Sequence, residues 1–275
     1  MIHLFFRRDR PLVIAHRGGS GLAPENTLAA FDLATALGVD GLELDVRLSR
    51  DGVVMVHHDR TLERTTNLTG PVDRRTADEL GRADAAYHFR PAGHGGEAHP
   101  LRDQGIGIPT LAAVLARYRD TRLVIEMKLN EPALARAVLD AVRAAGADER
   151  VCLGSFGWRV LRAARRMAPH IATSAAREEV RWALYRSWCR WPVSRVPYRG
   201  YQIPEMSGRT RVVSPRFIED AHAAGLGVQI WTVDRPADAH RLVEWGADAL
   251  ISDRPDHIAA AVRESACLNG AQTEP

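Results

Sequence analysis

In Leu42-Glu43-Leu44-Asp45-Val46 aliphatic and acidic residues alternate strictly. A period of two marks a β-strand, with three aliphatic side chains on one face and two carboxylates ~7 Å apart on the other. In a closed parallel barrel the aliphatic face meets the surrounding helices, so Glu43 and Asp45 are expected to point into the lumen. Val124-Ile125-Glu126-Met127-Lys128 repeats the arrangement, with Glu126 and Lys128 sharing a face.

Around these two stretches, short β-branched or Leu-rich runs alternate with longer helical patterns. Strands are expected at Leu12–Ala15, Leu42–Val46, Leu123–Met127, Val151–Ser155, Ile171–Ser174, Tyr201–Ile203, Val228–Thr232 and Ala249–Ser252. Leu28, Phe31, Ala34 and Leu37 recur at helical spacing, and Gly38 is placed to end that helix. Val53–His58 follows the second strand across Asp51-Gly52, a link long enough only for an antiparallel return, so it is read as a hairpin outside the barrel count. Eight parallel strands in about 250 residues predict a (β/α)8 TIM barrel, and the glycine fingerprint of a doubly wound sheet is absent. The reading is one domain over residues 1–275. An insertion at about 59–108 would sit on the C-terminal rim, where such barrels carry their active sites.

Composition narrows the classes. The chain has 275 residues, 37 Lys+Arg against 34 Asp+Glu, and 45% hydrophobic residues. That excludes a disordered chain, and no run approaches the ~20 apolar residues of a membrane-spanning helix. Ile2–Phe6 is too short for a signal-peptide core and is followed by Arg7, Arg8 and Arg10, so a cytoplasmic location is expected. Cys152, Cys189 and Cys267 are odd in number and form no C-x-x-C spacing, and are read as reduced bystanders. The isoelectric point near 9.0 rests on an excess of three charges with carboxylates interspersed throughout, so no nucleic-acid partner is expected.

Three carboxylates, Glu43, Asp45 and Glu126, converging inside a barrel need a counter-charge, and hard oxygen donors suit Mg²⁺ or Ca²⁺. A lone strand-end carboxylate is more often half of a salt bridge; two E-x-[D/K] pairs at strand ends favour a cation site. His16 closes the first strand and His58 closes the hairpin, at the same rim as the acids, as a general acid and base pair would. Alternation alone leaves open whether His57 or His58 faces inward. With Arg17 and Lys128 counted, the site holds one net negative charge; a divalent cation makes it positive and able to bind an anionic diester.

His16-Arg17-Gly18, Pro24-Glu25-Asn26-Thr27, Glu43-Leu44-Asp45-Val46, Asp51-Gly52 and Val56-His57-His58-Asp59, with Thr65-Thr66 and Gly70 after, resemble the glycerophosphodiester phosphodiesterase family. The likeness continues through Glu126-Met127-Lys128 and Trp231-Thr232-Val233-Asp234 to Ile251-Ser252-Asp253. It implies a TIM barrel, one divalent cation on the residues matching Glu43, Asp45 and Glu126, and acid/base histidines matching His16 and His58. It favours His58 over His57, because the family's histidine precedes Asp. Asp234 departs from the Asn common at that place, which puts a contact from that loop in doubt. The expected reaction is metal-dependent hydrolysis of a glycerophosphodiester to glycerol 3-phosphate and an alcohol. His16 is assigned as base and His58 as acid, Arg17 and Lys128 stabilise transition-state charge, and Trp231 walls the pocket or packs in the core. The nucleophile is water or the substrate's own glycerol hydroxyl.

Arg181 to Gln202 holds Trp182, Tyr185, Trp188, Trp191, Tyr198 and Tyr201 with five arginines and no acid. Such a segment suits a bilayer headgroup region or guides an acyl chain, which would make a lysophospholipid the substrate of a lysophospholipase D type cleavage. The alternative is an amphipathic barrel helix whose aromatics face the core or a dimer partner. His88, His94 and His99 in the Gly-rich insertion fit a loop better than a second metal site. A catalytically silent lipid or anion binding barrel is the distant alternative, disfavoured because every acid and histidine is present. The oligomeric state is not legible in the sequence.

Overall fold

A computed structural model describes residues 3–91, 99–193 and 195–271, the side chains of 265–271 excepted. Cys267 and His94 fall outside the described side chains.

The barrel strands are β1 (Leu12–Ala15), β2 (Gly41–Leu48), β4 (Arg122–Met127), β5 (Val151–Gly154), β6 (Ala172–Thr173), β7 (Gly200–Pro204), β10 (Gly227–Trp231) and β11 (Ala249–Ser252). They run parallel in the order β6-β5-β4-β2-β1-β11-β10-β7. The circle closes between its shortest strand, β6, and β7 by a Ser174–Gly200 bridge, with Arg199 N donating to Thr173 O and Ala175 N to Gly200 O, both at 2.9 Å. The eight strands predicted from sequence are all present, the fifth trimmed from Ile171–Ser174 to two residues. The hairpin return is β3 (Val54–Val56), antiparallel to β2. A second small hairpin, β8 (Met206–Ser207) with β9 (Thr210–Arg211), was not anticipated; it follows β7 at the same end as the active-site loops.

Helices α1 (Leu28–Ala36), α3 (Leu111–Arg117), α4 (Pro132–Ala144), α5 (Trp158–Met167), α6 (Arg177–Trp188), α7 (Pro215–Ala223), α8 (Pro236–Glu244) and α9 (Pro255–Ala271) cover the outer face, and α2 (Ala77–Gly81) lies in the segment between β3 and α3. Helix starts are written locally: Thr27, Thr76, Thr110 and Ser214 each accept from the backbone N–H three residues on. The Leu42, Leu44 and Val46 face of β2 is fully buried against this helical layer, as its alternation required. Residues of the 59–108 segment pack a satellite core of Leu62, Val72, Leu80 and Ile108 around Met55 of β3.

Phe5 and Phe6, read from sequence only as too short a run for a leader, plug the N-terminal mouth of the barrel. They join Leu12, Ile14, Val124, Cys152, Ala172, Ala249 and Ile251 in the lumen. A Cβ on Gly227 would stand 2.5 Å from the Phe6 ring, so that strand position admits only glycine. One mouth is thus sealed by aromatic packing, and the acids occupy the other.

Candidate active site

Parallel pairing of β2 with β4 sets Asp45 directly beside Glu126, with Glu43 one inward-facing step below. Carboxylate oxygens of Glu43, Asp45 and Glu126 lie within 4.8 Å of one another. Asp45 is fully buried and Glu43 nearly so. Lys128 Nζ reaches Glu126 Oε1 at 3.0 Å and Asp45 Oδ1 at 3.2 Å.

After β1 the chain turns sharply through His16-Arg17-Gly18. Gly18 is at φ 85°, and a Cβ there would meet Ala30 Cβ at 2.7 Å. The turn aims Arg17 N at Glu43 Oε2, 3.0 Å away. The Arg17 guanidinium lies between Glu25, 3.1 Å from Nη1, and Asp45, 3.1 Å from Nε. That Nε is buried with no hydrogen-bond acceptor, because its N–H direction misses the Asp45 oxygen.

Each histidine that lines the pocket is held by its own carboxylate. His16 Nδ1 is 2.6 Å from Asp253 Oδ1, and its Nε2 faces Glu43 Oε2 at 3.8 Å. His58 Nδ1 is 2.6 Å from Asp59 Oδ1, while its backbone carbonyl accepts from Arg47 Nε at 2.9 Å. Hydrogen bonds through Nδ1 leave Nε2 turned to the pocket in both rings. His57 faces the other way: it is buried, its Nε2 meets Thr61 O at 3.1 Å, and burial pushes its pKa down. The ambiguity that alternation left open is therefore decided by packing.

Electrostatics follow from the burial of so many acids. Burial, then the Asp45 charge, pushes Glu43 up to about 8. Asp45 is also penalised by burial, but Lys128 and Arg17 outweigh it and hold its pKa below the usual range. Burial drives His16 down, yet the Asp253 hydrogen bond and the Glu43 charge reverse the sign and raise it. Burial likewise opposes ionisation of Asp59, but the Arg64 and His58 bonds hold it at about 2.

The charge count made from sequence omitted four groups. Glu25, Asp59 and Asp253 add three negative charges and Arg64, bound to Glu25 and Asp59, adds one positive. With neutral histidines and all six carboxylates ionised the cluster is three charges negative rather than one. A crowded oxygen donor set, one buried carboxylate held up to about 8, fits a hard divalent cation.

Sequence reasoning also passed over Asn26. At φ 59° it donates from Nδ2 to Asp45 Oδ2 at 2.9 Å and accepts from Asp45 N at 3.2 Å. Its place in Pro24-Glu25-Asn26-Thr27 was the available signal. Asp253 had one too, as the residue after the last strand. Asp234, expected to cast doubt on its loop, instead accepts from Asp253 N and Ser252 Oγ at 2.8 Å and so fixes His16's partner. An Asn would offer the same acceptor oxygen.

His16, His58, Glu43 and Glu126 open onto a cavity of about 810 Å³ lined also by Arg17, Lys128, Phe156 and Trp231. Trp231 is half-buried and packs edge-on against Phe156, ring centroids 6.0 Å apart. From there the cavity continues along Arg181, Leu184, Tyr185 and Trp188 of α6 and Ile203 and Val212 behind them. His88 and His99 are engaged locally, His88 edge-on to Tyr87 and His99 with Phe89 O. Cys152 is buried in the lumen and Cys189 exposed, both free thiols. Among the described residues no helix is long and apolar enough to cross a membrane.

A parallel barrel with carboxylates, histidines and cations gathered at its C-terminal mouth defines a hydrolase-type phosphoester site in the TIM-barrel class. The sequence matches the glycerophosphoryl diester phosphodiesterase family over residues 16–257. A glycerophosphodiester phosphodiesterase of Caldanaerobacter subterraneus subsp. tengcongensis is 32% identical over 260 residues, covering 93% of this chain and 99% of that protein. Among solved structures, an Oleispira antarctica phosphodiesterase in complex with the product sn-glycerol-3-phosphate is 29% identical, with a TM-score of 0.74 over 92% of this chain and 97% of that one. A glycerophosphodiester phosphodiesterase from Agrobacterium tumefaciens is 31% identical, with a TM-score of 0.71 over 91% and 99%. The chain belongs to the glycerophosphoryl diester phosphodiesterase family, and it is a phosphodiesterase.

Proposed function

We propose that the chain hydrolyses glycerophosphodiesters to glycerol 3-phosphate and an alcohol, using a divalent cation of the Mg²⁺ or Ca²⁺ kind on Glu43, Asp45 and Glu126. The observation that carries this reading is the convergence of two carboxylate-tethered histidines, His16 with Asp253 and His58 with Asp59, on the acid trio. The product held by the Oleispira relative supports it.

When bound, the cation supplies Lewis acidity toward a phosphoryl oxygen. Arg17 and Lys128, lining the cavity, neutralise the charge that spreads over the phosphoryl oxygens. His16, oriented by Asp253, takes through Nε2 the proton of the attacking water, or of the glycerol hydroxyl, in which case water then opens the cyclic phosphate to glycerol 3-phosphate. His58, oriented by Asp59, returns a proton to the leaving alcohol, each transfer contributing ~10²–10⁴ in rate. The same reading takes the whole chain as one barrel domain with residues 59–108 as an insertion at its rim.

Purified protein given glycerophosphocholine should release glycerol 3-phosphate, and excess chelator should stop it reversibly. His16→Ala and His58→Ala should each abolish turnover. Undiminished activity in chelator would remove the cation from the reaction.

A second reading is favoured by the apolar arm of the cavity. Leu184, Tyr185, Trp188, Ile203 and Val212 line space beyond what a glycerol phosphodiester fills. A monoacyl glycerophosphodiester would place its chain there. Comparing kcat/KM for lysophosphatidylcholine and glycerophosphocholine separates the two substrates in one site.

A further inference from the structure

Four aromatic side chains of α6 and the residues just after it are largely exposed: Trp182 67%, Tyr185 56%, Trp188 58% and Trp191 66%. Trp182, Tyr185 and Trp188 are spaced three residues apart on α6, which spreads them over about 120° of its surface at 3.6 residues per turn. Tyr198 and Tyr201 of the same stretch are buried instead. The segment therefore splits into a core pair and an exposed aromatic rim, in which Tyr185 packs edge-on against Trp188 and the Arg186 guanidinium lies 5.9 Å from the Trp191 ring centroid. Trp182 and Trp191 also wall a separate groove of about 400 Å³ with Val193, Val196, Pro197 and Tyr198.

Charge says what covers that rim. Val180 to Pro204 contains Arg181, Arg186, Arg190, Arg195 and Arg199 and no carboxylate. Arg181, Arg186 and Arg190 make no ion pair among the described residues. Glu179, at the start of α6, is tied to Arg165. A second copy of this chain would bring the same arginines against themselves. An anionic bilayer supplies counter-charge to all of them and an interfacial layer suited to Trp and Tyr.

We propose that the α6 rim docks the barrel on an anionic lipid surface, with Trp182, Trp188 and Trp191 in the headgroup layer and Arg186 and Arg190 against lipid phosphates. Trp188 lines the cavity as well, so docking places the cavity mouth at the membrane. This surface goes beyond the hydrolytic reading and does not depend on which diester is cleaved.

The test is co-sedimentation of the full chain with phosphatidylglycerol/phosphatidylcholine vesicles, beside turnover of water-soluble glycerophosphocholine. The expected result is binding that strengthens with the anionic fraction and fades with salt. Trp182→Ser with Trp191→Ser should abolish it. Each arginine near such a surface is worth roughly fivefold in partitioning, so Arg186→Gln with Arg190→Gln should weaken binding about 25-fold. None of these four residues belongs to the catalytic site, and soluble turnover should stay unchanged, which shows the variants folded. Failure to bind vesicles, binding indifferent to the substitutions, or a solution dimer that shields Trp182 and Trp191 from an aqueous quencher would each overturn the proposal. Loss of soluble turnover in the parent protein would count against the hydrolytic reading alone.

Discussion

His16 Nδ1 and Asp253 Oδ1 lie 2.6 Å apart although 237 residues separate them in sequence. The contact exists because β1 pairs in register with β11, Ala15 beside Ser252, so that the residue following each strand meets the other. Ser20 Oγ donates to the same Asp253 oxygen. A histidine after the first strand is thus oriented by a carboxylate after the last.

The orientation has a kinetic signature. In the proposed mechanism His16 is the base and works when neutral, so kcat/KM should rise with pH through its pKa, which Asp253 raises. Asp253→Asn removes that support and lowers the pKa. The acid limb of the profile should move to lower pH while the plateau falls by up to the ~10²–10⁴ that acid–base work contributes. Movement of the basic limb instead would make His16 the acid, and movement of neither would leave Asp253 without a part in the reaction.

On the proposed reading, Glu43 links cation binding to stability. Its pKa is raised on folding, to about 8. Its contribution is therefore fully present below the unfolded value near 4.3 and is lost as pH rises through about 8. A bound cation replaces the proton, so the rise in Tm on adding Mg²⁺ or Ca²⁺ should grow from pH 5 to pH 8. Thermal scans across that range in chelator and in excess cation measure it. In Glu43→Gln the pH-dependence of the increment should shrink, and activity should be lost.

Asn26→Ala strips the Asp45 carboxylate of an amide donor and the Asp45 backbone N–H of its side-chain acceptor at once. Groups that orient metal-binding carboxylates typically cost ~10–100-fold in affinity when removed. Calorimetric titration with Mg²⁺ should show a loss in that range with the barrel still folded. An unchanged affinity would reduce Asn26 to a loop residue.

Phe6→Ala opens the sealed mouth beneath Gly200 and Gly227. Emptying so large a buried volume should destabilise the protein by about 3–5 kcal/mol, read from denaturant midpoints. The site stands at the opposite mouth, so KM measured well below the melting transition should hold. A variant as stable as the parent would mean that the plug seals nothing.

The barrel was legible because its strands announce themselves locally. Leu42–Val46 alternates by two, the helices after it by three and four, and each pattern is fixed by backbone geometry before any long-range contact forms. The acid trio was legible for the same reason, since an inward-facing carboxylate occupies a definite parity along β2 or β4. Parity failed at His57 and His58, where the hairpin ends and the regular alternation stops.

The sequence by itself determined the eight-strand cadence, the inward acids Glu43, Asp45 and Glu126, and the histidines at the strand ends. Only the tertiary structure decided which histidine faces the cavity, that Asp253 and Asp59 hold the two rings, that Asn26 braces Asp45, and that Phe5 and Phe6 close the far mouth. Facing is a local property of a strand, repeated every second residue. Partnership depends on which strand ends barrel closure brings together, and no spacing along the chain encodes a contact between residues 16 and 253.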